Sequence, residues 1–423
     1  MIALLLVALI VALLVLRQPL LVILLAVAAY VQIFWGKAQL DYIIEDMWVG
    51  LDKEVILSIP LFILCGNVMT KGTTAKRLIR ILSAITRPLP GGMAVACILS
   101  CAIFAAISGS SIVTMLAVGS VMYPAMRAAN YDVKFTLGAI MSGGTLGIII
   151  PPSIPMIIYG LVTETSVTEL FAAGFGPGIL LTVVLSAYAI FVNRHIKSEK
   201  FDGAELLVAT KEGIWAAMMP VILLGGIYTG YFTATEAAAV ALVYAMLVEI
   251  FIHRELELKD FYGVVLDASK LGGSLFPVLA IALSLNIVLT EHRVPAMMVQ
   301  FMQGYIDSPL MFMLMVNVLL LIVGCLMTTG EAILVLAPLL APVAEAYGYN
   351  KVIFGLIMIL NLEIGYLTPP VGLNLLVAMG AFKQQFSTLV QAALPFIVLM
   401  LICLGIVIWQ PWIGMYFVNG KLW

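Results

Sequence analysis

The sequence predicts an all-α polytopic membrane protein made of two inverted structural repeats, each with a re-entrant helical hairpin and a broken transmembrane helix. Three observations lead there. The apolar content is too high for a water-soluble fold, prolines recur at one fixed offset, and basic residues gather in one loop.

Of 423 residues, 63% are hydrophobic and 10% are charged, and the mean hydropathy is +1.15. A soluble domain is about 45–50% apolar and about 25% charged, so lipid must solvate most of this chain. A span takes roughly 20 apolar residues, which leaves room for about a dozen embedded segments. Apolar stretches fall at 2–35, 55–70, 91–129, 134–163, 171–192, 214–252, 272–290, 310–346, 352–380 and 386–417. The first holds Arg17 and lacks an obvious small-residue cleavage site, so it reads as a membrane anchor rather than a removed signal peptide.

A net charge of -2 gives no reason to expect a nucleic-acid partner. Cys65, Cys97, Cys101, Cys325 and Cys403 lie in apolar stretches without a CxxC pair and read as packing residues. No GxxxxGK[ST] loop is present, so ATP hydrolysis is not expected of this chain. The longest polar stretch, 193–213, has only the length of a loop.

Several apolar stretches are interrupted, and the interruptions match. Adding 218 to the positions of Pro124, Pro151, Pro152 and Pro177 gives Pro342, Pro369, Pro370 and Pro395. The same shift carries Gly147 to Gly365, Tyr131 to Tyr349, and Ser110-Ser111 to Thr328-Thr329. Shared hydrophobicity would not align prolines, so this is an internal repeat. Proline removes a backbone donor and stops or kinks a helix. In hydrocarbon the freed carbonyls are tolerated only where they line a cavity or meet an ion. Paired breaks of this kind point to a secondary transporter, with half-helix N-termini facing an anion and carbonyls facing a cation.

Charge supplies orientation. Lys71, Lys76, Arg77, Arg80 and Arg87 have no acidic residue among them, as expected of a cytoplasmic loop. The corresponding stretch of the second half, 289–305, holds only Glu291, His292 and Arg293. Matching loops on opposite sides of the membrane would give that asymmetry.

Four segments carry a family resemblance: Phe104-Ala-Ala-Ile-Ser-Gly-Ser-Ser111, Ser142-Gly-Gly-Thr-Leu-Gly-Ile-Ile-Ile-Pro-Pro-Ser-Ile-Pro155, Thr233-Ala-Thr-Glu-Ala-Ala-Ala-Val240, and Asn361-Leu-Glu-Ile-Gly-Tyr-Leu-Thr-Pro-Pro-Val-Gly-Leu-Asn374. In order and spacing the chain resembles the large membrane (M) subunit of tripartite ATP-independent periplasmic (TRAP) transporters, the DctM-like family. It departs at Ala234, where the family often has proline, and at the second tip, Thr328-Thr329-Gly330-Glu331.

The resemblance implies an elevator-type permease of the bacterial inner membrane, with a fixed scaffold and a mobile transport region. It implies sodium as the coupling ion, no other cofactor and no enzymatic activity. The implied partners are a small membrane subunit of about four helices, a periplasmic substrate-binding protein, membrane lipid and a small organic acid, with a dicarboxylate favoured over sialic acid. On this reading 1–90 holds scaffold helices and an amphipathic connector, and 91–170 the first transport repeat (hairpin 91–129, broken helix 134–163). Scaffold helices follow over 171–308, the second transport repeat over 309–385 (hairpin 310–346, broken helix 352–380), and a C-terminal helix over 386–423.

Sodium prefers oxygen ligands, by analogy with other hard cations. The resemblance places one ion on Ser108, Gly147 and Pro151 and a second on Thr329, Gly365 and Thr368, with Ser110 a further candidate. Ser111, Thr145, Thr328, Asn361 and Asn374 are candidates for the substrate, and Ser153 and Tyr159 weaker ones. Each has a plainer reading, since small residues allow close helix packing and buried asparagines bond helices together. The kinks too have a purely structural reading. Glu236 fits a helix start, Glu363 a tuning role at the second ion, and Glu331 has no evident role. The basic cluster fits positive-inside anchoring better than recognition.

Two other functions share part of this pattern. A self-sufficient sodium/anion symporter would share the hairpins and breaks but need no binding protein. An intramembrane hydrolase using Ser110 lacks a partner, because His195, His253 and His292 lie in polar loops.

Overall fold

The computed structural model describes residues 2–35 and 40–418, and among these the chain is helical with no strand. Two short apolar helices come first, α1 (Ile2–Val15) and α2 (Leu20–Phe34). Arg17, Gln18 and Pro19 part them, so the expected 2–35 anchor is a helix pair. Next come α3 (Asp41–Leu51), a 3₁₀ turn at Glu54–Leu57, α4 (Ser58–Lys71) and α5 (Thr74–Thr86). Helix α5 is amphipathic, burying Leu78, Ile79 and Leu82 while Arg77, Arg80 and Lys76 lie off that face.

The first interrupted region comprises α6 (Gly92–Ser108), α7 (Ser111–Ala128), α8 (Val133–Ile149) and α9 (Ile154–Thr163). Then come α10 (Val167–Val192), α11 (Gly203–Tyr228), α12 (Ala234–Leu247) with a π turn at Val248–Ile252, and α13 (Leu258–Glu291). The second interrupted region comprises α14 (Val294–Tyr305), α15 (Pro309–Gly324), α16 (Thr329–Ala346), α17 (Lys351–Tyr366) and α18 (Leu373–Phe382). Helices α19 (Phe386–Trp409) and α20 (Trp412–Val418) follow. The expected C-terminal helix is therefore broken, and its last residues, 419–423, lie outside the described part.

Among the described residues, nine helices are long and apolar enough to cross a membrane. Helices α8 and α9 continue one another as one 31-residue span, Val133–Thr163, despite the interruption between them. The sharp bend lies elsewhere, 117° between α14 and α15.

The offset read from the sequence reappears in the helix boundaries. Helices α7 and α16 begin at Ser111 and Thr329, and α8 and α17 at Val133 and Lys351. The last two are capped by Asp132, accepting from Phe135 N at 3.0 Å, and by Asn350, accepting from Val352 N at 2.8 Å. Each side chain satisfies an orphan donor of the first turn. Both proline pairs, Pro151-Pro152 and Pro369-Pro370, are joined by cis peptide bonds. Beyond them the register slips by one residue, since α9 starts at Ile154 and α18 at Leu373.

The basic cluster is paired rather than isolated. Arg80 meets Glu205 at 2.8 Å and Glu212 at 2.5 Å, Arg87 meets Glu199 at 2.5 Å, and Lys71 meets Asp267 at 3.5 Å. These exposed pairs tie α5 to α11 and the loop before it, and α4 to α13, without adding much stability. All five cysteines are free and buried.

Candidate functional site

At the first tip, Ser108 ends α6 and Ser110 immediately precedes α7, with Gly109 between them at φ +59°. That left-handed conformation favours glycine, and a Cβ there would also meet Pro152 O at 2.9 Å. Ser108 Oγ shares a hydrogen bond with Thr114 Oγ1 at 2.6 Å and donates to Ser110 O at 3.3 Å. Ile154 N donates to Gly109 O at 3.4 Å, joining the tip to the break between α8 and α9.

Gly147 lies against this tip with no room for a side chain, since a Cβ would stand 2.5 Å from Ser110 O and 2.7 Å from Thr114 Oγ1. Pro151 has no N–H, so the carbonyl of Gly147 loses the donor an unbroken helix would supply. Ser108, Ser110, Gly147 and the turn at Pro151 thus form one oxygen-rich junction.

At the second tip, Thr328 and Glu331 form a capping box. Thr328 Oγ1 accepts from Glu331 N at 3.3 Å, and Glu331 Oε2 accepts from Thr328 N at 3.1 Å. This settles the role of Glu331, a carboxylate at a helix N-terminus where it stabilises the first turn. Thr329 N donates to Tyr366 OH at 2.5 Å. Gly365 packs on the backbone of Gly324 and Cys325, and Gly372 N donates to Cys325 O at 3.2 Å.

This break reuses its carbonyls more fully than the first. Thr368 N donates to Gly365 O at 2.9 Å and Thr368 Oγ1 to Ile364 O at 2.8 Å. Pro151 and Pro152 are buried, whereas Pro369 and Pro370 are exposed.

The two tips face one cleft of about 240 Å³. Ser108, Ser110 and Ser111 line it from one side and Thr328 and Thr329 from the other, with Tyr366 beside them. Helices α4, α9 and α13 form most of the remaining wall, and no Asp, Glu, Lys, Arg or His is among the lining residues. Behind the tips, Asn374 Nδ2 donates to Ser111 Oγ at 2.7 Å and to Glu363 Oε1 at 3.4 Å. The Glu363 carboxyl stands beside Ser111, Asn374 and Thr329. Asn374 Oδ1 is buried without a hydrogen-bond partner, and Thr329 Oγ1 and Glu363 Oε2 are buried side by side. An unsatisfied buried oxygen is costly, and a set of buried oxygens suits a hard cation.

Other candidates stand apart from the cleft. Thr145 Oγ1 donates to Ser142 O at 2.5 Å, and Asn361 Nδ2 donates to Asn317 O at 3.1 Å and Oδ1 at 2.5 Å. Ser153 caps α9, accepting from Met156 N at 3.4 Å, and Tyr159 OH donates to Lys351 O at 2.8 Å. Glu236 sits in a second capping box with Thr233 as the cap, and Ala234 occupies the first helical position, where proline is well tolerated.

Sequence reasoning missed Thr114, Tyr366 and Asn67. Tyr366 follows Gly365 inside a motif already singled out, and Thr114 lies one helical turn beyond Ser110. Asn67 carried no local signal.

Two helix N-termini thus meet around an uncharged, hydroxyl-bearing cleft inside a polytopic helical protein. The family of the DctM component of tripartite ATP-independent periplasmic transporters matches residues 7–413. The chain belongs to that family and is a multi-pass protein of the bacterial inner membrane.

Among its relatives, the C4-dicarboxylate TRAP transporter large permease protein DctM of Pseudomonas aeruginosa is 40% identical over 86% of this chain and 88% of its own length. The isethionate TRAP transporter permease protein DctMQ of Oleidesulfovibrio alaskensis is 39% identical over 90% of this chain, which spans 61% of that longer protein. The crystal structure of the Alcanivorax borkumensis YdaH transporter has the same overall fold, with a TM-score of 0.62 over 90% of this chain and 88% of that one at 11% identity.

Proposed function

We propose that this chain is the large permease subunit of a sodium-coupled, binding-protein-dependent importer of a small organic acid. The cleft carries the reading: two hydroxyl-bearing helix N-termini, α7 and α16, meet around it and no acidic side chain lines it. Helix N-termini attract anions, and relatives are named for C4-dicarboxylates, isethionate and ectoine. Each of these bears a carboxylate or sulfonate. A dicarboxylate or related small acid is the substrate class proposed here.

Two sodium ions accompany it. The first is held by Ser108, Ser110, Gly147 and Pro151, where hydroxyls and a freed carbonyl converge. The second is held near Thr329, Gly365 and Thr368, and the buried oxygens of Thr329, Asn374 and Glu363 support that placement. Ser111 and Thr328 face the substrate with Asn374 behind them, bonded to Ser111, while Thr145 and Asn361 brace the walls from behind. The pairs α6–α7 and α15–α16 are the re-entrant hairpins of two inverted repeats. Together with α8–α9 and α17–α18 they form the moving body of an elevator, against a scaffold of 1–90 and 171–308. A periplasmic binding protein delivers the acid and a small membrane subunit braces the scaffold.

The test is uptake of labelled succinate and isethionate into proteoliposomes holding both membrane subunits, with and without the binding protein and a sodium gradient. Uptake of at least one of the two acids that needs both the protein and the gradient is expected. Uptake without the gradient overturns the coupling. Uptake without the binding protein replaces this reading with a self-sufficient symporter.

A further inference from the structure

We propose that Asn67 is a specificity-determining residue, donating a hydrogen bond from α4 to the acidic group of the substrate lodged between the two tips. The inference rests on the transport reading above and adds a contact from the α4 wall, beside the first tip.

Helix α4 reaches the first tip at Gly66, where a Cβ would lie 3.4 Å from Ser108 O. The absence of a larger side chain brings the next residue to the cleft. Asn67 lines that cleft, and its Nδ2 is buried without any acceptor. The other polar side chain on this wall is Ser274 of α13, whose hydroxyl is already engaged with Leu271 O at 2.8 Å. Asn67 therefore supplies the free donor of the α4–α13 wall. An unpaired amide donor beside a ligand cleft is unfavourable in the empty protein and becomes satisfied when a carboxylate or sulfonate oxygen arrives. Discrimination follows from the same point, because a site built to hydrogen-bond its ligand rejects analogues lacking that acceptor.

The experiment uses the complete permease with its binding protein, and labelled succinate and isethionate as probes. Asn67→Leu, similar in size and without the donor, should raise KM at least tenfold for the transported acid while the ligand-free protein melts no lower than wild type. Asn67→Asp should lose more, because it places a carboxylate against an anion. Asn67→Ser, which keeps a donor, should recover part of the affinity, and it keeps the test open if a larger change prevents assembly. A structural asparagine would give the reverse pattern, a lowered melting temperature with unchanged KM, and that result overturns the inference. Wild-type protein that transports neither probe overturns the transport reading and this inference together. Normal wild-type uptake with unaltered KM in all three variants overturns this inference alone.

Discussion

Alanine at position 147 would place its Cβ 2.5 Å from Ser110 O and 2.7 Å from Thr114 Oγ1. Ordinary van der Waals contact for such an atom begins at 3.4 Å, so the tip must retreat by roughly 1 Å. The obstructing oxygen is backbone at the cap of α7, and it cannot rotate away as a side chain would. Overpacking of this kind costs about 1–3 kcal/mol, offset by up to about 1 kcal/mol because alanine favours a helix interior over glycine. Global stability should therefore fall by no more than about 3 kcal/mol. The geometry of the proposed first ion site should not survive, because Ser110 O and the Ser108–Thr114 hydroxyl pair move together. At about 1.4 kcal/mol per tenfold, sodium half-saturation of uptake should rise roughly five- to a hundredfold. The assay is sodium-dependent uptake in proteoliposomes, paired with sodium-induced thermal stabilisation of the purified protein. Gly405→Ala is the control, since a Cβ there meets nothing within 4 Å. Unchanged sodium activation in Gly147→Ala would refute the first ion site.

Three further outcomes test the supporting structure. Thr328→Ala should lower stability by about 1 kcal/mol through loss of the α16 cap, whereas Glu331→Gln, still able to close the capping box, should leave the melting temperature nearly unchanged. Asn361→Leu strands Asn317 Oδ1 in a buried position and should cost about 1–3 kcal/mol; thermal melting should fall while sodium half-saturation stays put. Gly72→Ala drives a Cβ into the Glu249 carboxylate, which bonds Thr74 Oγ1 and holds the start of α5. Thermal melting should drop, and Glu249→Ala in the same chain should recover part of the loss, as a double-mutant cycle requires of a direct clash.

Much of the fold was legible because the signals are local. Proline acts on its own backbone and the preceding turn, so Pro151-Pro152 and Pro369-Pro370 announced the interruptions at 150–153 and 367–372 without reference to the rest of the chain. The helix starts at Ser111 and Thr329 were marked by the small hydroxyl residues before them. Thr233 with Glu236 and Thr328 with Glu331 are also local, a Thr-x-x-Glu pattern that marks a capping box, and would have explained both glutamates. Arg17-Gln18-Pro19 likewise divided the first apolar stretch, which hydropathy alone had joined.

The sequence by itself determined the solvent, the repeat and the positions of the breaks, since each depends on composition or on residues a few places apart. Only the tertiary structure decided which candidates meet. Asn374 and Ser111 are 263 residues apart, and their bond exists because α18 packs against α7. The same convergence drew Glu363 into the site and left Thr145 and Asn361 outside the cleft, though their local contexts look alike. It also set Asn67 beside the first tip, for no reason visible in its neighbours. Chain chemistry places a break, but only packing decides which freed oxygens face one another.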